Sequence, residues 1–305
     1  MILQLQARQL QRSLLLAMGA VLAVTGLFFV HIPKAHASAA NPHQLVPLYI
    51  YPSWWVTGND WYRACDSMNN AGNGSTAIMN PDNGPGSSRD SDYDYVINHC
   101  HQDGNNVIGY VDTGYGSVAL STVESQIDDY YSWYNTNSGG VDGRIDGIFL
   151  DEMNNFPTTT VDGGLTAAQY YHTIYNYIKA KDPTHTFDDV VGNPGSPAAT
   201  DWQVDDTSTP STQAADEVVV FEGPETGTLG LNNYTKPSWV DNYSASTIAM
   251  LVYATPDTDL ATVCSTLQND NAGLVDVTNY DVTSTATPWN FFQGSTYWSD
   301  FTSDC

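Results

Sequence analysis

The stretch Ile145-Asp146-Gly147-Ile148-Phe149-Leu150-Asp151-Glu152 is a short apolar run that ends in two adjacent carboxylates. A run of this length, containing a Gly and a Phe, is typical of a buried strand. Two acids at the carboxyl end of such a strand are costly to bury unless they are solvated, paired or used in chemistry. In an eight-stranded α/β barrel the catalytic residues stand at the carboxyl ends of the strands. The stretch therefore predicts a barrel with a catalytic acid at this position.

The pattern of short apolar runs recurs along the chain. Runs of this kind begin near residues 46, 75, 105, 145, 186, 217, 247 and 274, and helical patterns cover 90–102, 119–136, 166–181 and 259–271. Strands that alternate with helices in this way predict an α/β protein with a (β/α)8 TIM-type barrel. The segment between the fifth and sixth runs is rich in Pro, Ser and Thr, so we expect a loop with a short helix there.

Residues 1–37 have the composition of a secretory signal peptide. Arg8 and Arg12 precede an apolar run over 14–30, and Ala35-His36-Ala37 is an A-x-A cleavage pattern. The alternative is a retained N-terminal membrane anchor, but the run is shorter than the ~20 residues of a spanning helix. We therefore expect a secreted, extracellular protein with a single barrel domain over residues 38–305 and no membrane attachment after cleavage.

The net charge narrows the classes of partner. Residues 38–305 carry six Lys and Arg against 34 Asp and Glu, a formal charge of −28. Nucleic acid is excluded as a ligand, because phosphate binding needs basic clusters. The charge serves either solubility or the attraction of a cationic polymer. The sequence has no C-x-x-C or H-E-x-x-H spacing, so we expect no metal or cofactor. We also expect a monomer.

Four cysteines remain after the leader: Cys65, Cys100, Cys264 and Cys305. An even number in an exported chain favours two disulfides, for which three connectivities exist. Cys65 and Cys100 lie in consecutive predicted helices, which pack side by side in a barrel. Cys264 lies in the last of the helical patterns above, and Cys305 ends the chain. We therefore predict the pairs Cys65–Cys100 and Cys264–Cys305, the second of which would hold the tail in place.

A second apolar run, over residues 217–222, also ends in a carboxylate, Glu222. Two strand-end acids that face one pocket are the minimum needed to break a glycosidic bond, which makes Asp151, Glu152 and Glu222 the candidate catalytic residues. Side chains alternate across a regular strand, so Asp151 and Glu152 either divide into one catalytic and one supporting residue or need a bulge that aims both inward. A purely structural alternative is that the acid pair caps backbone amides or pairs with Arg.

The other strand ends combine aromatic rings with polar groups. Sugars present apolar ring faces and hydroxyl edges, so this combination is suited to binding them. The candidate substrate-binding residues are Tyr49, Tyr51, Asn80, Tyr110, Asp112, Tyr115, Asn193 and Tyr253. Candidate stacking residues are Trp54, Trp55 and Trp289.

Taken together, these motifs resemble the spherulin-4-like proteins from about residue 46 to residue 298. The motifs are Val46–Pro52, Asn80–Gly86, Gly109–Gly116, Asp146–Glu152, Gly192–Gly195 and Phe221-Glu222. The resemblance implies a (β/α)8 barrel and a metal-free acidic site made of Asp151, Glu152 and Glu222. The family includes endo-acting glycoside hydrolases that cut α-1,4-linked N-acetylgalactosamine in galactosaminogalactan. The resemblance therefore implies an endo-α-1,4-N-acetylgalactosaminidase-like activity on a biofilm exopolysaccharide.

A secreted endo-glycosidase that acts on an amino-sugar polysaccharide is thus the function we expect, with the roles of the individual carboxylates left open. One alternative is a non-catalytic carbohydrate-binding or cell-surface protein on the same barrel, because a fold does not determine a function. A second alternative is a polysaccharide deacetylase, which would need a metal dyad that the sequence does not suggest.

Overall fold

The apolar runs form strands, and the amphipathic segments between several of them form helices, in a computed structural model of the chain. The structure describes residues 42–68, 74–135, 137–138, 141–282, 287–290 and 292–305. The predicted signal peptide over 1–37 lies outside these residues. The strands of the barrel are β1 (His43–Leu48), β2 (Thr76–Met79), β3 (Asn106–Asp112), β4 (Gly147–Asp151), β5 (Asp189–Gly192), β6 (Glu217–Pro224), β7 (Ile248–Tyr253) and β8 (Leu274–Val277). The α-helices are α1 (Asp60–Met68), α2 (Asp92–Gln102), α3 (Leu120–Trp133), α4 (Ala167–Lys179), α5 (Leu260–Asn269) and α6 (Ser295–Asp304).

The eight strands follow one another around a closed barrel, and β1 pairs with β8 to complete it. Every pairing within the barrel is parallel. The predicted (β/α)8 fold is therefore confirmed, with all eight strands close to their predicted positions. A separate two-stranded ladder joins residues 137–138 to 141–142 outside the barrel.

The connections on either side of β6 depart from a regular barrel. Residues 193–216, which link β5 to β6, contain turns and bends but no helix, so the short helix expected there is absent. Between β6 and β7 the chain forms three short 3₁₀ segments, over 231–233, 238–242 and 245–247. Pro197 and Pro210 lie in the first of these connections and Pro237 in the second, and proline lacks the N–H that a helix interior needs.

The core has two layers, which follow from the alternation of side chains along each strand. Inward-facing side chains fill the barrel, and outward-facing ones pack against the helices. The inner layer includes Leu45, Ile78, Ile108, Phe149, Val191, Val219, Ala249, Leu251 and Leu274. This layer fills the interior of the barrel, so a ligand site on the barrel axis lies outside the layer, as at the carboxyl ends of the strands.

Both predicted disulfides are present. Cys65–Cys100 joins α1 to α2, and Cys264–Cys305 joins α5 to the residue that follows α6. All four cysteines are buried. Among the described residues, no helix combines the length and the apolar character needed to cross a membrane.

Replacing Cys264 and Cys305 together by Ser should lower the free energy of unfolding by about 3–4 kcal/mol in the chain-entropy account. The bridge closes a loop with a sequence separation of 41 residues, so its loss frees the unfolded chain. Urea denaturation under non-reducing conditions measures the change. A matched pair, Cys65→Ser with Cys100→Ser, should show a similar loss, since its separation is 35 residues. A loss below about 1 kcal/mol for both pairs would contradict the prediction.

Candidate active site

A cavity of about 580 Å³ opens at the carboxyl ends of the strands. Its volume is in the range of small-molecule sites, and its walls are mostly aromatic and polar. The side chains that line it come from several different strand ends and the loops after them. They are Tyr49, Asn80, Asn83, Tyr110, Tyr115, Asp151, Glu152, Asn193, Pro194, Gly195, Glu222, Tyr253, Val282, Thr287, Pro288, Trp289 and Asn290.

One amide group joins two of the carboxylates in this cavity. Asn193 Nδ2 donates to Asp151 Oδ1 at 2.7 Å and to Glu222 Oε2 at 2.6 Å. The two oxygens therefore lie no more than about 5 Å apart, in the range of the carboxyl pairs of retaining glycosidases. The free oxygens are held as well, since Tyr110 donates to Asp151 Oδ2 at 2.7 Å and Trp289 Nε1 donates to Glu222 Oε1 at 2.9 Å.

The backbone fixes the orientation of the Asn193 amide. Gly195 N donates to Asn193 Oδ1 at 2.9 Å, so the oxygen faces the loop and the NH₂ group faces the carboxylates. The same loop also holds β6, because Glu222 N donates to Gly195 O at 2.9 Å. The amide and both carboxylates are thus positioned by one connected set of hydrogen bonds.

A β-bulge turns Glu222 toward the cavity. Val219 faces the barrel interior and pairs with Ala249, whereas the next register pair joins Phe221 to Met250 on the outer face. Val220 is the extra residue, and it shifts the alternation by one position. In a regular strand Glu222 would face the helices, because it lies an odd number of residues from Val219. The bulge places it beside inward-facing Leu251 instead.

A left-handed residue brings Glu152 into the same cavity. Strand β4 ends at Asp151, and Glu152 has φ +50°, a conformation that is uncommon for residues other than Gly. Thr113 stabilises this turn: its hydroxyl lies 2.7 Å from Asp151 O and 2.8 Å from Glu152 O. Tyr115 N also donates to Glu152 O at 2.7 Å. Both acids therefore line the cavity, because the chain leaves the strand geometry between them.

The described residues that line the cavity include three carboxylates and no Lys or Arg. All six Lys and Arg of residues 38–305 form ion pairs elsewhere, and none of them lines the cavity. Burial and the nearby charge of Glu222 raise the pKa of Asp151 to about 7, although hydrogen bonds from Tyr110 and Asn193 oppose this rise. Asp151 is therefore protonated in a large fraction of molecules near neutral pH.

Two other pKa shifts arise from the same crowding of acids. Burial, followed by the charge of Asp151, raises the pKa of the Tyr110 hydroxyl, so Tyr110 remains a hydrogen-bond donor. Burial also raises the pKa of Glu152, and the charge and hydrogen bond of Asp112 add to this effect. Asp112 is itself held by Gly114 N at 2.7 Å and by Asn83 Nδ2 at 3.2 Å.

Comparisons with known proteins agree with this architecture. The sequence profile of spherulation-specific family 4 (Spherulin4) matches residues 44–304. Spherulin-4 of Physarum polycephalum is 32% identical over 225 residues, which make up 72% of this chain but only 54% of that protein. The chain belongs to the spherulin-4 family. It spans about half the length of this relative.

A solved structure has the same fold. The crystal structure of Aspergillus clavatus Sph3 in complex with GalNAc matches with a TM-score of 0.65 at 22% sequence identity. The match covers 88% of this chain and 98% of Sph3. This likeness supports the barrel that the spherulin-4 family resemblance implied.

Most of the candidate site residues that the sequence suggested lie together. All three carboxylates line the cavity, as do the predicted binding residues Tyr49, Asn80, Tyr110, Tyr115, Asn193 and Tyr253. Tyr51 and Asp112 do not line it. Trp289 lines it as a hydrogen-bond donor, whereas Trp54 and Trp55 lie outside. Thr113 is a site residue that was not predicted from the sequence, where its signal is a threonine directly after a strand-end Asp.

Two groups of acids and histidine elsewhere have the spacing of cation ligands. In the part of the chain that the structure describes, they are Asp66, His99 and Asp103, and Asp189, Asp216 and Glu217. Neither group contributes a residue to the cavity. The second lies at the amino ends of β5 and β6, where Lys179 Nζ is 2.6 Å from Asp216 Oδ2. Neither group therefore places a cation beside the bridged carboxylates.

Asp151→Asn should gain stability relative to the parent protein as the pH rises from 4 to 8, by about 1–3 kcal/mol. The folded pKa of Asp151, about 7, lies above its unfolded value, so the contribution of Asp151 to stability is fully present below pH 4 and is lost as the pH rises through 7. Asn does not titrate. Its amide can accept from Asn193 and donate to the Tyr110 hydroxyl.

Thermal or urea unfolding at the two pH values measures this difference. Asp206→Asn, at an exposed loop position, is the matched control and should show no comparable shift. If the difference in stability between Asp151→Asn and the parent is the same at both pH values, the pKa of Asp151 is not raised.

Proposed function

We propose that this spherulin-4 family protein is a secreted endo-glycoside hydrolase that cleaves an exopolysaccharide containing N-acetylgalactosamine. The observation that carries the proposal is the pair Asp151 and Glu222, which one amide holds together in an open cavity at the carboxyl end of the barrel. Glycoside hydrolases use two carboxyl groups at this separation, and in TIM-type enzymes catalysis occurs at this end of the barrel.

The electrostatics support a division of roles between the two carboxyl groups. Asp151, whose pKa is about 7, is the group that carries a proton near neutral pH and can protonate the leaving oxygen. Glu222 is then the carboxylate that attacks the anomeric carbon, with one oxygen held by Trp289 and the other by Asn193. Deprotonated Asp151 next takes a proton from water while the water oxygen attacks the anomeric carbon. The bond between that carbon and Glu222 breaks, so the sugar is released, Glu222 is again a carboxylate and Asp151 again carries its proton. Glu152, beside them, is suited to binding substrate hydroxyl or amino groups.

The sugar is proposed from the family motifs and from the lining of the cavity. Sph3, which has the same fold, was crystallised with GalNAc. Tyr49, Tyr110 and Tyr253 provide aromatic surfaces here, and Asn80 provides an amide. Aromatic faces with a few polar groups suit a pyranose ring that bears an acetamido group.

Export and a monomeric state belong to the same proposal. The A-x-A pattern after an apolar run suggests cleavage after Ala37. Two disulfides between buried cysteines are consistent with an oxidising compartment.

Asp151→Asn and Glu222→Gln should each lower kcat on purified galactosaminogalactan by at least ~100-fold, the usual loss for a missing acid or base. Glu152→Gln should lower activity too, through substrate binding. Glu225→Gln is the matched control, because Glu225 lies three residues beyond Glu222 and does not line the cavity. Reducing-end release measures the rate.

The same assay separates the alternatives. Activity within tenfold of the parent for either Asp151→Asn or Glu222→Gln would remove that residue from the mechanism. Polymer binding without any hydrolysis by the parent protein would favour a non-catalytic binding barrel. Release of acetate that a chelator abolishes and zinc restores would favour a deacetylase.

Hydrolysis should proceed with retention of the anomeric configuration. The bridged oxygens lie at most about 5 Å apart, which leaves no room for the water that an inverting enzyme places between its carboxyl groups. Proton NMR of the first minutes of reaction should show the α-anomer of the new reducing end before mutarotation. Initial appearance of the β-anomer would contradict direct attack by Glu222.

The charge of −28 over residues 38–305 predicts a salt effect if the natural substrate is partly deacetylated and therefore cationic. In that case kcat/KM on the cationic polymer should fall as salt rises from ~0.01 to ~0.5 M, because the screening length shrinks several-fold over this range. A fully acetylated, neutral oligomer is the control and should show almost no dependence. Equal salt profiles for the two substrates would leave solubility as the use of the charge.

A further inference from the structure

We propose that the aromatic patch formed by Tyr51, Trp54, Trp55 and Tyr95 is a second sugar-binding subsite, outside the cavity, for an amino-sugar unit of the same polysaccharide. The proposal rests on the proposed function. Trp55 is 57% exposed, Tyr51 is 51% exposed and Tyr95 is 40% exposed, which is unusual for rings of this size. None of the four lines the cavity.

The distribution of exposed apolar side chains points to the same face of the barrel. In the described residues, the exposed large apolar side chains all follow the carboxyl ends of strands or stand in the first two turns of a helix there. They are Tyr51, Trp55, Val56, Tyr95, Tyr115, Phe156, Leu229 and Val282. Of these, Tyr51 and Trp55 contact each other, and Tyr95 stacks on the half-buried Trp54.

The rings of the patch hold one another in place. Trp54 stacks on Tyr95, with ring centroids 4.0 Å apart, and meets Trp55 edge to face at 5.9 Å. Tyr51 contacts Trp55 at 6.3 Å. The loop is anchored from below, because buried Trp61 donates its Nε1 to Ile50 O at 2.8 Å. A surface fixed in this way loses little conformational entropy when it binds a ligand.

The polar groups around the patch suit an amino sugar. Asp92 accepts from Tyr51 at 2.7 Å and from Trp54 Nε1 at 3.0 Å, and Asp90 accepts from Asp92 N at 2.9 Å. The nearby cation, Arg89, is paired with Asp94 and lies over the Tyr134 ring. Aromatic faces stack on a pyranose ring, and two carboxylates beside them favour a free amino group on that ring.

The patch is continuous with the cavity along the chain. Tyr49 lines the cavity, and Tyr51 follows two residues later, so their Cα atoms are at most about 7 Å apart. Asn80 and Asn83 line the cavity from the loop that leads to Asp92 and Tyr95 at the start of α2. A polysaccharide that is cut in the cavity can therefore extend over the patch.

Trp55→Ala tests the subsite through the chain length of the substrate. KM for galactosaminogalactan should rise about tenfold. The fold increase in KM for an α-1,4-linked N-acetylgalactosamine trisaccharide should be at least five times smaller. Phe156→Ala is the matched control, since Phe156 is 68% exposed on the same face but outside the patch. It should leave the KM for the polymer within twofold of the parent.

A binding measurement separates this proposal from the hydrolase proposal. In affinity gel electrophoresis, galactosaminogalactan should retard the Glu222→Gln protein, and adding Trp55→Ala should remove most of that retardation. If Trp55→Ala removes the retardation but the parent protein does not hydrolyse the polymer, the subsite is supported and the hydrolase proposal is overturned. Normal hydrolysis with unchanged polymer KM in Trp55→Ala, or an equal effect of Phe156→Ala, would overturn the subsite alone. A parent that neither binds nor cuts the polymer would overturn both.

Discussion

The hydrogen bonds from one amide group, that of Asn193, to Asp151 and Glu222 are the constraint on which the rest of the site depends. Two carboxylates at this separation repel each other, and burial makes that repulsion stronger. A neutral bridging donor keeps them close without cancelling the charge, whereas a Lys or Arg would hold both permanently ionised. Burial and the charge of Glu222 raise the pKa of Asp151 to about 7, and the hydrogen bond from the neutral bridge opposes this rise only in part. A carboxyl group that carries a proton in a large fraction of molecules near neutral pH is the chemical consequence.

Backbone irregularities bring the acids together, and they mark the limit of what the sequence predicts. The strand positions, the two disulfides and the strand-end position of Asp151 follow from apolar periodicity and cysteine spacing. The inward direction of Glu222 does not, because alternation counted from Val219 would point it outward and only the bulge reverses this. The position of Glu152 in the cavity likewise depends on its positive φ, which no sequence pattern predicts for a glutamate.

Partners that are distant in sequence set the remaining details of the site. Trp289 lies 67 residues from the Glu222 that it contacts, and Thr113 lies 39 residues from Glu152. Residue type alone predicts a stacking ring for Trp289 and a sugar-binding group for Asn193. Their hydrogen bonds to the carboxylates appear only when the barrel closes and brings the ends of β4, β5 and β6 together with the segment after β8.

The placement of the cations completes the electrostatic picture. A Lys or Arg in the cavity would neutralise part of its negative charge. All six Lys and Arg of residues 38–305 are instead paired with acids elsewhere. The cavity and the aromatic patch beside it are consequently left with carboxylates and aromatic rings, which attract and stack on the same kind of ligand. A neutral polymer would use the rings alone, whereas a polymer with free amino groups would use the rings and the carboxylates together. The absence of Lys and Arg from the described lining of the cavity is therefore itself an argument for an amino-sugar polymer, independent of the family resemblance.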